Sequence, residues 1–173
     1  QRQMCIRDRD GAKALVFDLR DDGGGLVDAL EQILDPLLPE GDIAIATYRD
    51  GTTKTLVKSD AEECNLPMTV IVNGNTASAA ELFTASLHDF GKASIVGTQT
   101  FGKGIMQVTQ TMPGGGALTL TVATYQTTKG ECYHKVGITP DEIVEPGEDA
   151  IDYDNPDPEK DPQLKKAIEM VTQ

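Results

Sequence analysis

One stretch of the chain combines residue types that could carry out acyl transfer. An apolar run, Val70-Ile71-Val72, passes through Asn and Gly to Ser78 and an alanine-rich segment, which predicts a strand, a tight turn and a helix. This order places the Ser78 hydroxyl at a helix N-terminus, where free N–H groups and the helix dipole favour developing negative charge. Lys103 follows 25 residues later between two glycines, and Gln107 lies four residues beyond it. We interpret the pair of Ser78 and Lys103 as a candidate serine–lysine hydrolase site.

Each of these residues also has a structural explanation. Ser78-Ala79-Ala80-Glu81 matches the S-x-x-E capping box, in which the serine only satisfies backbone donors at a helix start. A single lysine is most often a solvated surface group. The pair favours chemistry because a serine nucleophile needs a base, and neither His88 nor His134 lies in a recognisable triad context.

A lysine can serve as a general base only when its amine is uncharged part of the time. That state requires burial and the absence of a direct carboxylate partner. Gln107 could orient the amine of Lys103 by hydrogen bonding without adding charge. Glu81 and Asp89 are near enough in sequence that either could oppose this role by pairing with the lysine.

A second glycine-rich turn lies between an apolar run, Ala14–Phe17, and a helix that we predict from about Leu26. Three consecutive glycines alone more often indicate a flexible turn. Backbone N–H groups at Ala79 and near Gly24 could nevertheless form the oxyanion hole of an acyl transfer. The helix is expected to end or kink at Pro36. Its predicted apolar face comprises Leu26, Leu30, Ile33, Leu34 and Leu37.

The order strand, helix, strand, helix, strand predicts an α/β fold with a parallel sheet built from right-handed crossovers. Sites of such sheets lie at the C-terminal ends of the strands, where both glycine-rich turns fall. Two antiparallel hairpins are also predicted, over residues 43–57 around Asp50-Gly51 and over residues 105–125 around a Pro-Gly-Gly-Gly turn. The remaining predicted elements are a helix over 78–90, a strand over 93–96 and a C-terminal helix over 161–172 with Leu164, Ile168 and Val171 as its apolar residues.

Composition restricts the partners and cofactors. The 173 residues include 28 acids against 15 bases, and the resulting net charge of −13 argues against nucleic acid or an anionic membrane. Seven carboxylates and no base lie in residues 145–159, which we interpret as a solvated linker. Three cysteines without a C-x-x-C spacing support neither a zinc site nor a dense disulfide framework. We therefore predict no metal and no cofactor.

Four motifs together resemble the carboxyl-terminal processing peptidases, also called tail-specific proteases, and they occur in the family's order over about residues 12–146. The motifs are Asp18-Leu19-Arg20-x-x-x-Gly24-Gly25, Thr76-Ala77-Ser78-Ala79-x-Glu81, Gly97-x-x-Thr100-Phe101-Gly102-Lys103-Gly104-x-x-Gln107 and Gly137-Ile138-x-Pro140-Asp141. The resemblance implies a serine endopeptidase that cleaves polypeptides near their C-termini through an acyl-enzyme. It also implies a crotonase/Clp-protease-like α/β fold.

The same resemblance assigns roles to individual residues. Ser78 becomes the nucleophile, Lys103 the general base and Gln107 its orienting partner. Gly24 and Ala79 supply the oxyanion N–H groups, and Asp89 has a supporting role because an acidic residue is found at that position in the family. The chain differs from the family where Asp22 and Gly23 stand in place of the frequent Asn and Pro, and where Ala80 stands in place of the frequent Ser.

Residues 1–10 resemble a translated adapter, so we expect a non-native leader there, a peptidase catalytic core over 11–147, and an acidic linker with a helix over 148–173. The resemblance implies an upstream PDZ domain that captures substrate C-termini in the full-length protein, polypeptide substrates, and a location outside the cytoplasm in a bacterial cell envelope. It leaves an oligomer open.

Two alternatives remain open from the sequence. A crotonase-like acyl-CoA hydratase or isomerase would also use two backbone amides as an oxyanion hole, but with Glu or Asp as acid–base groups. A non-catalytic peptide-binding module would keep the same motifs as a helix cap and turns.

Overall fold

The computed structural model describes residues 11–60, 63–148 and 151–172, so the predicted leader lies outside the described residues. Two helices separate three groups of strands along the first half of this part of the chain. In chain order the elements are β1 (Leu15–Asp18), α1 (Val27–Leu34), a 3-10 turn (Asp35–Leu37), β2 (Gly41–Tyr48), β3 (Thr53–Ser59), β4 (Met68–Val72), α2 (Ala79–Asp89), β5 (Ala93–Gly97), β6 (Ile105–Thr111), β7 (Ala117–Thr127), β8 (Glu142–Ile143) and α3 (Pro162–Val171).

A parallel sheet carries the two glycine-rich turns at the C-terminal ends of its strands. Its strands lie in the order β1-β4-β5-β8, and every neighbouring pair is parallel. The central strand β4 is buried along its whole length, as expected for an apolar strand covered on both faces. Because β1 and β4 are adjacent and in register, the turns that follow Asp18 and Val72 lie side by side at the C-terminal ends of these strands. The predicted crossover order is confirmed.

Helix α2 is the central helix of the domain. Its residues from Ala79 to Leu87 are all buried, which small alanines make possible because neighbouring elements can approach closely. Phe83 packs edge to face on Phe17 of β1 with ring centroids 5.1 Å apart. The first residue of α2 is therefore held in place at the C-terminal ends of the parallel strands.

A second sheet, antiparallel, has the order β3-β2-β7-β6. Both predicted hairpins are confirmed, the first as β2–β3 and the second as β6–β7. The inner end of β7 packs into the core through Ala123, Tyr125 and Thr127, which are buried on one face of the strand. This sheet therefore places β7 directly beside the turn that contains Ser78.

The predicted face of α1 is partly wrong. Leu30, Leu34 and Leu37 are buried, but Leu26 and Ile33 are 78% and 53% exposed. Leu26 has extended backbone angles and precedes the helix, so it does not follow the helical rotation. Ile33 lies about 100° around the helix from Leu34.

Helix α3 covers the opposite face of the parallel sheet, where Ala167 packs with Ile71 and Val96. Its boundaries agree with the prediction, but its apolar face agrees only in part, since Leu164 packs against this cluster whereas Ile168 does not. Gln163 and Ala167 are the buried positions, and Ile168 is 36% exposed. Gln163 is buried because its side-chain amide is hydrogen-bonded through both its nitrogen and its oxygen. The amide N–H donates to Val144 O at 2.7 Å, and the amide oxygen accepts from the guanidinium of Arg20 at 3.0 Å.

Candidate active site

The turn that carries Ser78 is strained. Ser78 caps α2 with φ 60° and ψ −119°, a region that side chains with a Cβ rarely adopt. The Thr76 hydroxyl donates to Leu19 O at 2.8 Å, and Ala77 N–H donates to Asp22 O at 2.9 Å. These hydrogen bonds join the turn to the loop after β1 and maintain the strained backbone angles of Ser78. Strained residues of this kind cluster at functional sites.

Gly24 lies directly against the nucleophile turn. Its φ is +83°, and a Cβ there would lie 2.6 Å from both Ala77 O and Ala79 N, so only glycine fits. Ala79 is the first residue of α2, where an N–H group has no carbonyl partner within the helix. The structure therefore brings the backbone of Gly24 and that of Ala79 together beside Ser78.

The Gly24 N–H is nevertheless engaged in this arrangement, because it donates to Asp22 Oδ1 at 2.8 Å. Asp22 is exposed, and its side chain must turn away before the N–H of Gly24 can bind an oxyanion.

The sequence analysis considered Glu81 as part of the helix cap and as a possible ion-pair partner of Lys103. Its side chain is completely buried. Oε1 accepts from the Thr100 hydroxyl at 2.6 Å and from Gly102 N–H at 2.7 Å. Oε2 accepts from Ser78 N–H at 3.0 Å and from Lys103 N–H at 2.8 Å. Four donors on two oxygens fit an ionised carboxylate, which only accepts. Glu81 thereby joins the serine turn to the lysine loop.

The capping box of Ser78 with Glu81 is present in the structure, and capping is compatible with the catalytic role predicted for Ser78. The S-x-x-E spacing was the available signal for Glu81, but it shows only the pairing with Ser78. The other donors come from residues about 20 positions later, which no local pattern reveals.

Lys103 lies on a loop that packs against the serine turn. Phe101 N–H donates to Thr76 O at 3.1 Å, and Gly102 has φ +87° with room for no Cβ, since Gly137 N lies 2.9 Å from that position. The Lys103 side chain is half-buried, whereas that of Phe101 is 65% exposed. Among the described residues, no hydrogen bond joins the Lys103 amine to Ser78 Oγ, and neither Glu81 nor Asp89 forms an ion pair with it.

Gln107 lies on the edge strand β6 and is exposed. It pairs with Thr121, just after an irregularity at Met106. Met106 pairs with Ala123, and neighbouring residues of a strand point to opposite faces, so the register places Gln107 on the face opposite to Ala123. Within the described part of the chain its amide makes no hydrogen bond to Lys103.

Tyr125 contacts Ser78, the predicted nucleophile, and the sequence analysis did not single it out. Its hydroxyl lies 3.4 Å from Ser78 Oγ and donates to Lys103 O at 2.6 Å. Burial raises the pKa of Tyr125 above its ordinary value, so the hydroxyl is neutral at physiological pH. Tyr133 packs against it edge to face with centroids 6.1 Å apart.

Asp89 lies at the other end of α2, eleven residues or about 16 Å along the helix from Ser78. It accepts from the Thr127 hydroxyl at 2.5 Å and faces His88. Burial alone would raise the pKa of Asp89, but the hydrogen bonds from His88 and Thr127 lower it. The pKa of His88 is raised to about 9 by the hydrogen bond to Asp89, with Asp141 adding to the effect. Asp89 therefore supports the end of β7 and not Lys103.

The Asp18-Leu19-Arg20 motif holds the C-terminal helix. Arg20 is buried and pairs with Asp18 at 2.5 Å and with Asp161, the N-cap of α3, at 2.7 Å. Burial alone would lower the pKa of Arg20, but the hydrogen bonds to these two carboxylates raise it. Tyr153 adds a hydrogen bond from its hydroxyl to Asp21 at 2.7 Å. The helix is thus fastened to the loop that carries Gly24.

In the described residues, no group of three or more His, Cys, Asp or Glu side chains could hold a metal ion. None of the helices described is both long and apolar enough to cross a membrane.

Comparisons with known proteins agree with this geometry. Residues 3–144 match Peptidase family S41. The carboxyl-terminal-processing protease of Synechocystis sp. is 34% identical over 165 residues, which cover 95% of this chain and 38% of the relative. The carboxy-terminal-processing protease of Bartonella bacilliformis is 39% identical over 140 residues, covering 79% of this chain and 32% of the relative.

A solved structure, the photosystem II D1 C-terminal processing protease, is similar in fold and sequence. It aligns with a TM-score of 0.75 and 32% identity over 83% of this chain and 38% of that one. The tricorn protease aligns with a TM-score of 0.55 at 21% identity, which shows the fold alone. The chain spans little more than a third of the length of these processing proteases. On the match over most of its length, this mixed α/β chain belongs to Peptidase family S41.

Proposed function

We propose that this chain is the catalytic core of a serine endopeptidase that cleaves polypeptides near their C-termini through an acyl-enzyme. The observation that carries the proposal is the junction at Glu81, which binds the backbone of both Ser78 and Lys103. A strained serine at a helix N-terminus and a lysine loop are thus fixed to one buried carboxylate. Family membership supports a peptidase and neither of the two alternatives.

In the proposed reaction, Ser78 Oγ attacks the substrate carbonyl while the neutral amine of Lys103 takes the serine proton. The lysine then returns this proton to the leaving amine. N–H groups of Ala79 and Gly24 hold the oxyanion, where the helix N-terminus favours negative charge. Gln107 orients the lysine amine, and Asp89 supports β7 from the far end of α2.

The structure corresponds to a resting arrangement in this proposal. The Gly24 N–H is bound to Asp22, and Ser78 Oγ contacts Tyr125 and not the lysine amine. Catalytic hydrogen bonds are often long or poorly aligned without substrate and tighten in the substrate complex. In this proposal, closure requires a rotation of the Asp22 side chain and of the Lys103 side chain.

The polypeptide substrate, an upstream PDZ domain in the full-length protein and a location outside the bacterial cytoplasm are part of the same proposal. They rest on the likeness to bacterial carboxyl-terminal-processing proteases. An oligomeric assembly is left open.

The test is covalent labelling of the chain with a serine-reactive fluorophosphonate, followed by mass spectrometry of the labelled peptide. We expect labelling at Ser78, none in Ser78→Ala, and little in Lys103→Ala. Turnover of unfolded casein should follow the same pattern. Labelling that persists in Ser78→Ala would refute the proposed nucleophile and direct attention to carboxylate chemistry.

A further inference from the structure

The tyrosine that bridges the two proposed catalytic residues is not explained by packing alone. Tyr125 is 5% exposed and lies where β7 passes between the serine turn and the lysine loop. Its backbone N–H donates to Gly104 O at 3.1 Å. Both the main chain and the side chain of Tyr125 therefore hold the lysine loop, at the carbonyls of Gly104 and Lys103.

The Tyr125 hydroxyl has one proton and can donate it to only one acceptor at a time. A phenol has one O–H donor and lone pairs that accept. The 2.6 Å distance to Lys103 O is short for an O–H···O bond, whereas the 3.4 Å distance to Ser78 Oγ is long. The Tyr125 proton is therefore committed to the Lys103 carbonyl. Toward Ser78 the tyrosine oxygen acts as an acceptor, and the serine hydroxyl donates to it.

We propose that Tyr125 is a positioning residue of the reaction, whose hydroxyl fixes the Ser78 side chain and the Lys103 carbonyl in one arrangement. This inference rests on the proposed function. The tyrosine holds the serine proton in the resting state, and the same proton passes to the Lys103 amine when the substrate carbonyl is attacked. Because the ring is clamped edge to face by Tyr133, the hydroxyl stays in place during this exchange.

The test compares Tyr125→Phe with Tyr48→Phe in the chain as it exists. The first variant removes the hydroxyl at the junction and keeps the ring. The second removes the hydroxyl of a half-buried tyrosine on β2 of the same sheet, so it controls for the loss of a phenol hydroxyl away from the site. The readouts are the second-order rate constant for fluorophosphonate labelling of Ser78 between pH 6 and 10, the kcat and KM for casein, and the unfolding midpoint.

We expect Tyr125→Phe to lower the labelling rate constant about tenfold, the effect of one to two lost hydrogen bonds. The kcat should fall while KM stays within about twofold, and labelling should be slower at every pH at which the variant is folded. Tyr48→Phe should label at the wild-type rate. A purely structural role would lower the unfolding midpoint and leave the labelling rate of the folded variant unchanged.

Two failures are distinguishable. If the wild-type chain is labelled at Ser78 and Tyr125→Phe is labelled equally fast, the inference is overturned and the proposed function stands. If Ser78 of the wild-type chain is not labelled at all, the proposed function is overturned, and the inference with it.

Discussion

Replacing Glu81 by glutamine tests the junction that joins the two proposed catalytic residues. Gln has one acceptor oxygen and one NH₂ donor, whereas the Glu81 carboxylate accepts from four donors. If the NH₂ group takes the Oε2 position, it faces the N–H groups of Ser78 and Lys103. If it takes the Oε1 position, it faces Gly102 N–H and the Thr100 hydroxyl, which can turn to accept.

The second orientation of the amide costs less free energy, and this cost can be worked out from the contacts. Gly102 N–H is left without its acceptor in a buried site, at about 1–3 kcal/mol. The remaining bonds lose their charge assistance, at about 1 kcal/mol each. Removal of a buried charge offsets part of this loss. We expect Glu81→Gln to lower the free energy of unfolding by about 2–4 kcal/mol, which a domain with about 5–15 kcal/mol can survive.

The assay is urea unfolding together with fluorophosphonate labelling well below the unfolding midpoint. Exposed Glu40, changed to Gln, is the matched control because it removes the same charge from the surface. We expect folded Glu81→Gln to label at least about tenfold more slowly than the wild type, since the serine turn and lysine loop lose their shared acceptor. A Glu81→Gln variant within about 0.5 kcal/mol of wild type, with normal labelling, would refute the reasoning.

Three further changes test other contacts of the site. Gly24→Ala forces a Cβ into the backbone at Ala79 and should cost about 1–3 kcal/mol at this positive φ, with loss of labelling, as measured by urea unfolding and mass spectrometry. Asp22→Asn removes a negative charge beside the Gly24 N–H while keeping an acceptor for it, and we expect about threefold faster labelling. His88 has a folded pKa raised to about 9 by its carboxylate neighbours, so its stabilisation is complete below about pH 6.5 and disappears as the pH rises through about 9. Since its side chain is 39% exposed, screening reduces the effect, and His88→Asn should destabilise by about 1 kcal/mol at pH 6 and not at pH 10 in urea unfolding.

Each of these has its own control. Gly23→Ala matches Gly24→Ala, because a Cβ at Gly23 meets no atom within 4 Å; equal loss of labelling in both would contradict the steric argument. Glu40→Gln should not accelerate labelling, and an increase equal to that of Asp22→Asn would indicate a general charge effect. A His88→Asn deficit that persists unchanged at pH 10 would show that packing, and not the charged histidine, is responsible.

The ring of Phe101 is exposed beside the lysine loop. The residue precedes the lysine loop, yet its side chain is 65% exposed, so it does not exclude water from Lys103 in this arrangement. The reason is that Phe101 is held by its backbone, through the bond to Thr76 O, and not by its side chain.

Local chemistry in the sequence was sufficient for the framework of the fold. Three features depend only on neighbouring residues, and each lies where it was predicted. They are the apolar strands β1 and β4, the helix cap at Ser78 and the start of α3. The spacing of Ser78, Lys103 and the glycines also indicated the chemistry, because a nucleophile, a base and free N–H groups have few other joint uses.

Only the tertiary structure decided how these parts are joined. Glu81 and Tyr125 bind residues about 20 positions away in sequence, and Arg20 binds Gln163 across 143 residues. Such contacts leave no periodic signal, since the chain is free to place the partner anywhere along its length. The buried faces of α1 and α3 were likewise set by contacts outside each helix. For α3, a polar group, Gln163, is buried because Arg20 and Val144 satisfy its amide.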